Sequence, residues 1–173
     1  MYIENNSIKR NSAMNFGGAI FYKINNNFTN NTLINNEITF NKAEIMGGGI
    51  YTANSNYQLL FDFKNTIIKN NMINSYYNDY ASKPSYLVLN TKINNNVYNI
   101  TSGDYFPLNF TLYDGFDNPF IDYTKYYSSS SLKVLLVDIN YDNNFESDGI
   151  ILKENVGSFI NGKKKYKLKN MYH

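Results

Sequence analysis

The sequence predicts an all-β chain in which stacked parallel coils give way to an antiparallel sandwich. Three observations carry this. A thirty-residue repeat runs through the first part of the chain, and no run there holds the 3.6-residue apolar period of an amphipathic helix. After Pro84 the texture changes to regularly spaced, short β-prone runs. The repeat is explicit. Asn11-Ser12-Ala13-Met14-Asn15-Phe16-Gly17-Gly18-Ala19-Ile20-Phe21 returns as Asn41-Lys42-Ala43-Glu44-Ile45-Met46-Gly47-Gly48-Gly49-Ile50-Tyr51. Upstream, Asn5, Asn6 and Ile8 return as Asn35, Asn36 and Ile38, then partly as Asn65, Ile68 and Asn71. Over residues 5–20, eight of sixteen positions are identical at this offset, where chance would give about one or two.

Each unit reads as short strands separated by turn residues: around Ile3 and Ile8, then Gly17-Gly18, then Ile20-Phe21-Tyr22. In the second copy these become Leu33, Ile38, the glycines at 47–49, and Ile50-Tyr51. In a parallel β-helix successive coils hydrogen-bond about 4.8 Å apart, so residues one repeat apart lie directly above one another. Ile8, Ile38 and Ile68 are therefore expected to form an inner apolar ladder, with Ile20 on Ile50. Asn11, Asn41 and Asn71 are expected to stack at a corner, where Asn tolerates the left-handed region and its amide can bond the next. The glycine pairs supply corners where a Cβ would clash. The third copy decays, with Tyr77 where a third glycine is due, so the coils are placed at 1–75 and a tyrosine-rich cap or linker at 76–84. Met1 falls inside a repeat unit, which predicts that these are the C-terminal coils of a longer protein.

The motif Asn-x-Ala-x-x-x-Gly-Gly-[Ala/Gly]-Ile-[Phe/Tyr] resembles the GGAI and FxxN repeats of chlamydial polymorphic outer membrane proteins and similar repeats in large protist surface proteins. Phe40-Asn41 and the two GGxI strings match, while neither copy keeps the full FxxN spacing. The resemblance covers 1–75 and implies a right-handed, pectin lyase-like parallel β-helix displayed at a cell surface in adhesive or structural roles.

Beyond Pro84, strands are predicted at 85–93, 97–101, 104–114, 131–139 and 149–154, and at Ser158 with 165–170. Asn/Gly/Asp/Ser turns separate them. Leu108, Phe110 and Leu112 alternate inward, as do Val134 and Leu136. The string from Gly103-Asp104 through Leu108 and Asp114 to Asn118-Pro119 is similar to a strand pair in invasin-like and filamin-like Ig modules. That likeness implies an Ig-like sandwich over 85–173, serving as spacer and binding surface.

Composition bounds the function. The 173 residues carry a net charge of +2, yet five lysines at 163, 164, 165, 167 and 169 hide an otherwise mildly acidic body. Such a run could touch anionic partners, but no nucleic-acid motif accompanies it, and a solvated edge strand that discourages aggregation is the preferred reading. Asn makes up nearly a fifth of the chain, and cysteine is absent. No stretch approaches the apolar length of a membrane-spanning helix, and the N-terminus lacks the basic and apolar regions of a signal peptide.

Catalytic chemistry is sparse. β-Helical hydrolases need clustered carboxylates, and lyases need a basic group near a calcium held by acids. The acids of the coils, Glu4, Glu37, Glu44 and Asp62, align at the repeat offset with Ile34, Ser7, Met14 and Thr32, so none stacks on another. Arg10 is the one arginine and His173 the one histidine. The run Asp138-Ile139-Asn140-Tyr141-Asp142-Asn143-Asn144-Phe145-Glu146-Ser147-Asp148 has oxygen ligands at alternating positions, similar to cadherin linker acids. It departs from an EF-hand at Asn143 and Gly149, so a polar turn is preferred. Sequons occur at Asn5, Asn27, Asn30, Asn99 and Asn109, close to the roughly four that composition alone would produce. The expectation is a non-enzymatic adhesive or structural piece of a cell-surface or secreted protein. It would bind glycans or surface proteins, with no catalytic residue, cofactor, metal or nucleic-acid partner. The alternative is a polysaccharide lyase-like enzyme acting upstream or through the loops 23–31 and 53–58.

Overall fold

In a computed structural model, the structure describes residues 1–23, 31–54, 61–92, 105–127, 131–134, 150–152, 156–158 and 163–172. Every regular element among them is a strand; no helix occurs. Contacts divide the chain into two units. The first is Met1–Tyr86 with Leu112–Tyr126; the second is Leu87–Thr111 with Tyr127–His173.

In the first unit each thirty-residue repeat contributes the same strands. The first repeat forms β1 (Tyr2–Glu4), β2 (Ser7–Lys9), β3 (Ser12–Ala13) and β4 (Ile20–Tyr22). The second forms β5 (Asn31–Ile34), β6 (Glu37–Thr39), β7 (Lys42–Ala43) and β8 (Ile50–Thr52). The third forms β9 (Phe61–Lys64), β10 (Ile67–Lys69), β11 (Met72–Ile73), an added β12 (Tyr76–Tyr77) and β13 (Tyr80–Ser82). Equivalent strands pair in parallel, giving the orders β1-β5-β9, β2-β6-β10, β3-β7-β11 and β4-β8-β13. The offset is thirty throughout: Ile8 pairs with Ile38 and Ile38 with Ile68, while Ile20 pairs with Ile50. A core of Ile20, Leu33, Ile38 and Ile50 forms between these sheets, with Ile3, Ile8, Phe63 and Ile68 packed against it. The segment 76–84, read as cap or linker, thus holds β13, which pairs in parallel with β8 in the same register.

The turns correct one expectation. The left-handed residues are Asn5, Asn35 and Asn65 at one corner and Arg10, Phe40 and Asn70 at the other, all with φ between 49° and 59°. Asn11, Asn41 and Asn71 each follow the second corner by one residue, and the side chains of Asn41 and Asn71 are buried instead. The glycine expectation holds. Gly47 has φ +66°, and a Cβ on Gly48 would sit 2.3 Å from the Met72 nitrogen of the next repeat. No side chain fits that close an approach of backbone to backbone.

The remaining strands are β14 (Pro84–Leu89), β15 (Tyr105–Asp114), β16 (Ser131–Lys133), β17 (Ile150–Leu152), β18 (Val156–Ser158) and β19 (Lys163–Tyr172). They form a four-stranded sheet, β14-β15-β19-β17, and a two-stranded sheet, β16-β18. β15 with β19, β17 with β19, and β16 with β18 are antiparallel. Leu108 is buried, with Phe110, Leu132 and Val134 packed against it. The alternation 108, 110, 112 is broken by Thr111, which is also buried. Along the lysine run β19 pairs with β15, Lys163 opposite Thr111 and Lys165 opposite Asn109, while β17 meets it only at Asn170–Tyr172, so among the described residues the lysines are paired on one side.

Candidate functional site

Asn11, Asn41 and Asn71 form a one-way hydrogen-bond ladder. Asn41 Oδ1 accepts from the Asn11 backbone N–H at 2.9 Å and from its amide at 3.0 Å. Asn71 Oδ1 accepts likewise from Asn41, at 3.0 and 2.9 Å. Each amide also donates back to the preceding repeat, Asn41 to the Ile8 carbonyl and Asn71 to that of Ile38, both at 2.9 Å. Asn36 repeats the pattern by accepting from the Asn6 N–H and donating to Ile3 O. The amides of Asn36, Asn41 and Asn71 are almost wholly buried, and burial is tolerable because their donors and acceptors are used.

A ladder with one direction needs a terminator, and the third repeat builds it where the glycines have been lost. Asn74, in the left-handed region, turns β11 back into β12 as a short antiparallel hairpin. The chain then delivers Asn78 and Asp79. Asp79 Oδ1 accepts from the Asn71 N–H and amide, both at 2.8 Å, taking the place a fourth Asn would fill. Asn78 Oδ1 accepts from the Gly47 N–H, and the Asp79 carbonyl accepts from the Ile50 N–H.

Asp114 anchors the other wall of the site. It is 3 % exposed. Its Oδ1 accepts from the N–H groups of Phe116 and Asn118, both at 2.9 Å, and its Oδ2 from the Ser82 N–H. The Gly115 N–H donates to Ser82 Oγ. Burial pushes the Asp114 carboxyl above its ordinary value, against the lowering effect of those bonds. Nearby, Tyr86 donates to Asp117 at 2.7 Å, which holds its hydroxyl up to about 12.

Between these walls lies a cleft of about 300 Å³. Tyr77, Asn78, Asp79 and Tyr80 line one side, and Asp114, Asn118, Phe120, Ile121 and Tyr123 the other, with Met46 and Ala81 buried beneath. Tyr123 stacks on Tyr76 with ring centroids 4.1 Å apart, and Phe116 stacks on Phe63 and tilts against Tyr80. Among the described residues the charged lining groups are Asp79 and Asp114, with no lysine, arginine or histidine. Asp114 has both oxygens occupied by N–H donors, so it organises the turn and is poorly disposed to take a proton from a ligand. Asp79 keeps Oδ2, and Asn78 its amide nitrogen, without a bond among the described residues.

The acids of the repeats stand apart, as their alignment predicts. Glu4 pairs opposite Ile34, Glu37 opposite Ser7 and Ile67, and Asp62 opposite Thr32. Among the described residues no group of three or more acids, histidines or cysteines could hold a metal. The acidic run 138–148, and most of the loops 23–31 and 53–58, lie outside the described residues. Sequence reasoning did not single out Asn78, Asp79 or Asp114 as site residues. The one available signal was Asp and Asn gathering where the glycine motif fails. Comparison with protein-family models, curated proteins and solved structures returned no match to this chain.

Proposed function

We propose that residues 1–75 are coils of a right-handed parallel β-helix and residues 85–173 an Ig-like sandwich. Together they form a non-enzymatic, adhesive or structural part of a cell-surface or secreted protein. The observation that carries this is the constant thirty-residue register across four parallel ladders. Right-handedness follows from the strong preference of parallel crossovers within one sheet. Stacked strands with buried, fully bonded amides resist bending and leave little freedom for a moving catalytic group. The exposed side chains of the coils mix Asn, Lys and Glu with a few aromatics such as Tyr2, Phe21 and Phe40, and the amides and rings suit hydrogen bonding and stacking to glycans or partner proteins.

The test uses the full chain on immobilised polysaccharides and cell-surface glycoproteins, with calcium present, and reads both retention and product release. Retention without new reducing ends or unsaturated products is expected. Depolymerisation of any of these substrates would overturn the non-enzymatic reading.

A further inference from the structure

We propose that the cleft between residues 77–80 and 114–123 is a binding site for a neutral oligosaccharide. The proposal deepens the adhesive reading above and rests on it. Four observations lead there. The cleft is bounded by three tyrosines, Tyr77, Tyr80 and Tyr123, whose flat rings suit the C–H faces of pyranose sugars while their hydroxyls meet sugar hydroxyls. Tyr77 is 70 % exposed, and among the described residues its side chain makes no hydrogen bond or ring contact, so the fold does not account for an aromatic there. Asp79 Oδ2 and the Asn78 amide nitrogen stand beside it with bonding capacity to spare, one accepting and the other donating, as a vicinal diol requires. Asp79 is held firmly by its other oxygen on Asn71, so the ligand meets a pre-positioned group.

Charge selects the sugar. Both ionisable carboxylates of the lining repel a uronate, and among the described residues no cation of the lining offsets them, so neutral hexose, pentose or N-acetyl sugars are favoured over galacturonate. Size limits the contact. About 300 Å³ is at the small end of ligand sites, enough for one or two rings of a longer chain.

The experiment titrates the full chain by calorimetry with cello-, xylo-, manno- and chitohexaose and with hexagalacturonate. At least one neutral oligosaccharide is expected to bind, with hexagalacturonate at least tenfold weaker. Tyr77→Ala should weaken that binding about tenfold or more, while Tyr2→Ala, an equally exposed tyrosine on β1, leaves it unchanged. A measurement without variants runs alongside: the bound sugar should protect Tyr77 from nitration, read by peptide mass mapping, and leave Tyr2 reactive. Absence of neutral-sugar binding, preference for galacturonate, or nitration of Tyr77 unaltered by saturating sugar each overturns the site. These failures leave the adhesive reading standing through protein partners. Depolymerisation of the bound sugar would instead sink the non-enzymatic reading and keep the site.

Discussion

At the second left-handed corner the three repeats place Arg10, Phe40 and Asn70. The backbone requirement is the same and the residues are not equally suited to it. A left-handed non-glycine residue costs about 1–2 kcal/mol, less for Asn, whose short side chain bonds locally. Phe40 bears that cost with its ring 57 % exposed, so packing offsets little of it. Phe40→Asn is therefore expected to raise unfolding stability by about 1 kcal/mol, seen as a higher urea midpoint; a lower midpoint would show that the ring is held in place after all. Thr39 offers a second case. It is fully buried, and its hydroxyl has no partner among the described residues. Thr39→Val removes that hydroxyl at nearly constant shape and should gain about 1 kcal/mol, measured in the same way.

The ladder of amides behaves as an element rather than as separate residues. Asn41 sits at its centre, serving Asn11 above and Asn71 below. Asn41→Ala should cost roughly 3 kcal/mol, because buried N–H and C=O groups lose their partners. Asn11→Ala, at the exposed start, should cost about 1 kcal/mol or less, since water replaces what is lost. Equal losses in the two variants would refute a cooperative ladder. The terminator has its own signature. Asp79→Asn retains the accepting Oδ1 and should change stability by less than about 0.5 kcal/mol, whereas Asp79→Ala strands the buried Asn71 N–H and should cost about 2 kcal/mol. The oligosaccharide site needs the same aspartate, so the asparagine variant separates what Asp79 does for the fold from what its second oxygen does for a ligand.

Across the molecule, Asp114 ties the 112–126 segment to the last parallel strand through Ser82. Its carboxyl is raised above the ordinary 3.8 by burial. The folded protein therefore binds this proton more tightly than the unfolded chain does. The stabilising contribution is complete below pH 3.8 and is lost as pH rises through the raised folded value. Asp114→Asn cannot titrate, and its amide places a donor opposite the Ser82 N–H. The variant should be less stable by about 1–3 kcal/mol, and the gap to wild type should narrow as pH rises through that acidic window. Urea titrations between pH 3 and 6 check the sign; a gap that widens with pH would contradict it.

The thirty-residue register, the Ile8, Ile38 and Ile68 column and the close-packed glycines were all determined by the sequence itself. In parallel ladders each residue's neighbour is its own counterpart one repeat away, so a local period encodes a long-range contact. Tertiary structure alone decided how the ladder ends. Asp79 reaches Asn71 over eight residues, Asn78 reaches Gly47 over thirty-one and Asp114 reaches Ser82 over thirty-two. None of these intervals belongs to the repeat, because the last unpaired N–H groups donate to whichever side-chain oxygen the returning backbone brings within reach. The lysine run is a matter of the same kind: its partner is β15, which arrives from a distant part of the sequence, and β17 meets the strand only beyond the lysines.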